Sequence, residues 1–166
     1  MPTGHTFESA GMDFALGFWV WSFLAAPEPI PEQLIENKAA VLVNHLLDDW
    51  GENPREFPPE LRSTYVEKFS DPETVHAICE QYRAAATLDF DHDQADRGSH
   101  KIACPVLALW SATGPIAAWY EVLDVWREWA SDVQGRSIDA GHFLPEEAPQ
   151  EVAKELAAFF RGADFR

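Results

Sequence analysis

The run IACPVLALWSA, residues 102–112, is apolar almost throughout and shows no alternation. A strand that faces water on one side alternates; one buried on both faces of a parallel sheet does not. A second, shorter strand is predicted at GRSIDAG, residues 135–141. Between them, residues 117–130 predict an amphipathic helix with Trp119, Leu123, Trp126 and Ala130 in line. A closing helix over 149–161 is expected to bury Val152, Leu156, Phe159 and Phe160. Strand, helix, strand, helix is a βαβα unit, and its strands should be parallel. Two such strands make a poor sheet, because each would be an edge with unpaired backbone groups. The chain therefore reads as the tail of a larger α/β domain with a helical insertion in front of it.

The front part carries helical signals only. Residues 13–26 are apolar on nearly every face and PEPIP (27–31) follows as a rigid connector. Such a helix is either deeply buried or lines a cavity. Residues 32–47 hold Leu34, Ile35, Val41, Leu42, Leu46 and Leu47, with Gly51 as the stop. Leu61, Tyr65 and Phe69 recur at helical spacing beyond the loop ENPREFPP. SDPE (70–73) combines a cap, an early proline and a first-turn acid, which together start a helix. That helix carries Val75, Ile78, Cys79 and Tyr82 at i, i+3, i+4 and i+7.

Charge narrows the partners. The formal net charge is −16, from 28 acidic and 12 basic residues spread along the chain. A polyanionic nucleic acid or an anionic membrane surface would be repelled. No stretch approaches the roughly 20 apolar residues that cross a bilayer. The N-terminus lacks the basic region of a signal peptide. The two cysteines, Cys79 and Cys104, form no C-x-x-C pair, so a reduced cytoplasmic protein is expected.

One histidine stands out. In DAGHFLPEEAP, residues 139–149, His142 follows a glycine at a strand end and precedes a helix start. That is the carboxyl edge of a parallel sheet, where such folds place their chemistry. A lone histidine is also a common packing or capping residue. In α/β-hydrolases the histidine comes last of the triad, before little more than a terminal helix, and His142 has that place. No G-x-S-x-G element or its aspartate or cysteine equivalent occurs, and WSATGPIAAWY (110–120) holds no carboxylate. DFDHDQAD (89–96) starts like a calcium loop but has Gln94 and His100 where glycine and glutamate are required. A polar turn is expected there, with no metal and no cofactor. Trp19, Trp21, Trp50 and Tyr82 are either core residues or donors lining a pocket.

The segments GFWVWSFLAAPEPIPEQLI (17–35), DWG (49–51), DPETVHAICEQYRAAATLDFDHD (71–93), IACPVLALW (102–110) and GHFLPEEAP (141–149) resemble the haloacetate (fluoroacetate) dehalogenases and their close α/β-hydrolase relatives. The resemblance runs over nearly the whole chain but covers only the cap and the C-terminal part of that fold. It implies an α/β class, a partial α/β-hydrolase fold with a helical cap followed by a C-terminal βαβα unit. Residues 1–12 would be a connector, 13–97 the cap and 98–166 the core portion. It also implies a chemistry: an aspartate displaces halide, leaving an ester, and a histidine oriented by a second aspartate activates the water that hydrolyses it. His142 matches that histidine. The family's halide pocket is a histidine–tryptophan pair on the first cap helix and a tyrosine from a later one. Trp21 and Tyr82 match the latter two, Val20 stands where the histidine would be, and Trp50 matches another pocket-side position. By resemblance the nucleophile, the carboxylate-binding arginines and the oxyanion donors precede residue 1, so a fragment or an internal start is expected, inactive alone. The expected ligand is a small molecule such as a haloacid. An epoxide or ester hydrolase of the same fold and a non-catalytic fragment are the alternatives, and a homodimer stays open.

Overall fold

The computed structural model describes residues 2–8 and 10–162. They fall into two compact units, one of Pro2–Leu47 with Phe57–Ala95, the other of Asp48–Glu56 with the chain from Asp96 onward.

The first unit is helical. Its elements are α1 (Thr3–Glu8), α2 (Met12–Gly17), α3 (Trp19–Leu24), α4 (Ile30–Ile35), most of α5 (Ala39–Trp50), α6 (Pro59–Phe69), α7 (Pro72–Ala86) and most of α8 (Leu88–Asp96). Helix α7 is its axis, in contact with α1, α3, α4 and α6. It starts as predicted at SDPE: the Asp71 carboxylate accepts the Thr74 hydroxyl at 2.8 Å and the Glu73 N–H at 3.2 Å, the latter a backbone donor that a helix start leaves open. Arg83, near its other end, donates to the Ala26 carbonyl at 2.9 Å and to Glu32 at 2.8 Å. One guanidinium thereby fixes the end of α3 and the start of α4.

The long helices expected at 13–26 and 32–47 are each broken. Phe18, at φ −116° and ψ 39°, separates α2 from α3. The break turns Phe14, Phe18, Val20 and Leu24 inward while Leu16 stays exposed; a straight helix apolar all round could not bury every face at once. Asn37 separates α4 from α5 at φ 58°, a left-handed conformation that asparagine tolerates well. The polar turn expected at 89–96 is instead α8. Asp89 and Asp91 lie in its first turn, where the helix dipole favours negative charge, so the acids suit a helix start.

The second unit holds β1 (Val106–Ser111), α9 (Pro115–Trp119), α10 (Val122–Trp129), β2 (Val133–Ile138), α11 (Leu144–Glu147) and α12 (Pro149–Gly162). The strands are parallel, in register from Val106 with Val133 to Ser111 with Ile138. This is the expected βαβα order. Two details differ. Extended backbone at Tyr120 resets the helix phase, so α10 buries Val122, Val125 and Trp129 in place of Leu123 and Trp126. Helix α12 buries none of its residues, and Leu156 and Phe160 are 40% and 61% exposed. Among the described residues only β1 and α11 offer it much surface, which leaves most of its apolar stripe without a partner. No helix among the described residues is long and apolar enough to cross a membrane.

Candidate active site

The loop that carries His142 is held from three sides, all within the strand-bearing unit. At the end of β1, the Ser111 hydroxyl donates to the Ala140 carbonyl at 2.7 Å and accepts the Gly114 N–H at 2.7 Å. The tips of the two strands are thus latched just ahead of the histidine. The His142 N–H donates to the Trp50 carbonyl at 2.9 Å. A carboxylate closes the third side: Glu147 accepts the N–H groups of Glu52 at 2.5 Å, Asn53 at 3.3 Å and Phe143 at 3.2 Å. Gly141 makes this approach feasible. A Cβ there would lie 2.4 Å from the Glu52 nitrogen and 2.6 Å from a Glu147 oxygen, so only glycine fits.

The His142 ring has the Trp50 ring centroid at 5.0 Å and that of Phe143 at 5.2 Å, both edge-on. The side chain keeps a face open to solvent, yet these rings crowd the imidazole and displace water from around it. That crowding, opposed by the negative field of Glu147, brings its pKa below the ordinary value. An imidazole with a lowered pKa is neutral at neutral pH, the form that takes a proton from water.

In the helical unit, Trp21 on α3 and Tyr82 on α7 meet edge-to-face with centroids 5.7 Å apart. Phe7 and Phe14 also meet Trp21 edge-on, at 5.5 and 5.6 Å, so its indole is held in place by neighbouring rings. A cavity of about 180 Å3 is lined by Trp21, Gln81, Tyr82 and Ala85. Burial pushes the Tyr82 phenol pKa up, so it keeps its proton and remains a donor. Val20 is 1% exposed and is not among the residues lining this cavity; its side chain offers neither donor nor charge.

The structure thus brings Trp21 together with Tyr82, and Trp50 together with His142. It places Val20 in the core. Ser111 and Glu147 escaped the sequence reading. Gly141 ahead of the histidine, with an acid five residues after it, is the local signal that could have drawn attention to Glu147. Among the described residues, no group of three or more His, Cys, Asp or Glu side chains is arranged to hold a metal ion.

Comparison with known proteins bears on the fold. No protein-family model matches the chain. It is 30% identical, over 164 residues, to a fluoroacetate dehalogenase of a Burkholderia species, a match covering 98% of this chain and 54% of the relative. Among solved structures it is similar to a protein of Nostoc sp PCC 7120 ascribed to the α/β-hydrolases, with 42% identity, a TM-score of 0.92, and coverage of 97% of this chain and 55% of the other. A Pseudomonas aeruginosa protein ascribed to the epoxide hydrolases follows at 36% identity and a TM-score of 0.88, covering 97% and 54%. The chain spans about half the length of the relatives it matches.

Proposed function

We propose, from the premise that the chain has part of the α/β-hydrolase fold and is homologous over nearly its whole length to proteins of that fold, that it is the cap and C-terminal part of a hydrolase acting on a small haloacid. His142 is the base that activates water, and Trp21 and Tyr82 are the donors that hold the leaving halide. The observation that carries this reading is the Trp21–Tyr82 pair beside its cavity. An indole N–H and a phenol O–H are uncharged donors suited to an anion, and neither has a hydrogen-bond partner among the described residues.

In the complete hydrolase, an aspartate supplied by another part of the fold attacks the carbon that bears the halogen. A carbon–oxygen bond forms, the carbon–halogen bond breaks, and halide leaves with its electron pair. His142 then takes a proton from water, the hydroxide adds to the ester carbonyl, the hydroxyacid departs as the aspartate carboxylate is restored, and His142 releases its proton to solvent. The resembled family has a histidine donor at the position of Val20; here that residue is a core valine that does not line the cavity, so the leaving-group site has one donor fewer. A charge-assisted hydrogen bond contributes about 1.5–3 kcal/mol, or roughly one to two powers of ten in rate, and strongly hydrated fluoride depends on it most. Chloroacetate and bromoacetate are therefore the better substrates.

A second reading rests on the epoxide-hydrolase relative and on Tyr82, whose retained proton suits it to protonate an epoxide oxygen. The two separate at Tyr82→Phe. Loss of a general acid lowers epoxide turnover by about 10²–10⁴, whereas loss of one halide donor costs haloacid turnover less. The test is kcat/KM of the complete hydrolase with the three haloacetates and an aryl epoxide, in the parent and in Tyr82→Phe. Turnover of chloroacetate and bromoacetate above fluoroacetate is expected. Turnover of the epoxide alone would replace this reading with the second, and fluoroacetate as the preferred substrate would overturn the account of Val20.

A further inference from the structure

We propose that Glu147 is a positioning residue for His142: its carboxylate clamps the turn at Glu52–Asn53 to the loop at Phe143 and so fixes the backbone from which the imidazole projects. This rests on the reading of His142 as the base. One oxygen accepts the N–H groups of Glu52 and Asn53, at 2.5 and 3.3 Å, and the other accepts that of Phe143 at 3.2 Å. The joined segments lie more than ninety residues apart in sequence, and between them His142 N–H meets the Trp50 carbonyl at 2.9 Å. Gly141 lies against this contact with no room for a Cβ.

A carboxylate is suited to this place. Ionised, it accepts at both oxygens and donates nowhere, and bonds from N–H to an ionised acceptor are about twice as strong as neutral ones. Glutamine would set an NH2 group against at least one backbone N–H. Glu147 makes no ion pair among the described residues, so surface charge pairing does not account for its place. Its negative field also favours the imidazolium form of His142 against the crowding rings. One side chain thus helps to position the base and partly offsets the loss of basicity that the crowding rings cause.

The test uses the chain of residues 1–166 and NMR, without turnover. As pH is lowered on the unmodified chain, the amide signals of Glu52, Asn53 and Phe143 should follow one common curve, that of the Glu147 carboxyl carbon. In Glu147→Gln the common curve should vanish and the pKa of the His142 ring should fall. The common curve reports the clamp, and the fall in ring pKa reports the negative field that Glu147 sets at His142. Amides that titrate separately or not at all, or a His142 pKa that stays or rises in Glu147→Gln, would overturn the proposal. If the variant does not fold, the titration of the unmodified chain decides. Failure here leaves the role of His142 standing; joint titration of the amides in a hydrolase that does not need His142 would leave the clamp and remove the role.

Discussion

In the helical unit Phe57, Val20 and Cys79 are enclosed almost completely, at 2%, 1% and 0% exposed. In the strand-bearing unit Ile102, Leu156 and Phe160 stand 41%, 40% and 61% exposed. The helical unit also leaves Leu16, Leu34 and Val41 open, but these lie off its buried stripe. In α12 it is the main apolar stripe itself that lacks cover. The helices meet their apolar demand around α7, and enclosure there is deep enough to push the Cys79 thiol pKa up to about 11. Helix α12 does not meet its own within the described residues. Beyond a smaller core around Ile138, Val122, Val125 and Trp129, the second unit is fixed by backbone contact: the parallel ladder, the Ser111 latch and the Glu147 clamp. Side-chain truncation should therefore hurt the first unit most, and crowding of the backbone the second.

The largest effect is expected at Phe57→Ala. It removes an enclosed ring from the helical unit and should cost about 3–5 kcal/mol in a denaturant melt; a loss below about 1 kcal/mol would show that this unit has no well-packed core. Next comes Gly135→Ala in β2. Its Cβ would lie 1.9 Å from the Ala108 carbonyl oxygen of β1, so the strands must separate. A loss of about 2–3 kcal/mol is expected, and none would mean that the ladder yields easily. Leu156→Ala and Phe160→Ala remove large apolar side chains from α12 yet should each fall within about 0.5 kcal/mol. A loss as large as that at Phe57 would erase the contrast between the units.

The smallest effect is in pH. His142 has a lowered pKa in the folded chain, so the unfolded chain takes up the proton first as pH falls. Its contribution to stability is fully present above the unfolded value of about 6.5 and is lost as pH drops through the lower native value. Melts at pH about 7.5 and about 5.5 should differ more in the parent than in His142→Gln. An equal difference would show that the rings do not displace water from the imidazole.

How far this was legible in sequence follows from the kind of interaction involved. The parallel βαβα order was readable because 102–112 carries no alternation, and the start of α7 because cap, proline and acid are adjacent. The breaks at Phe18, Asn37 and Tyr120 were not, since an apolar segment with no polar face does not reveal where it bends. Helix α8 was misread because clustered acids suit a turn and a helix N-terminus equally. The burial expected on α12 followed its amphipathic spacing, which marks a face without telling what covers it. Trp21, Tyr82 and His142 came from resemblance and from chain order. The bond from His142 to Trp50 and the clamp by Glu147 join segments far apart in the chain, and no local pattern announces them.

The central claim is that His142 serves as the base for the second half of a two-step hydrolysis. The measurement is the release of bromide from bromoacetate by the complete hydrolase carrying His142→Ala, followed on the timescale of single turnovers. Release of about one bromide per enzyme, followed by a stall with the ester retained on the protein, is the predicted result. Sustained turnover at the parent rate, or no bromide release in a folded variant, would contradict it.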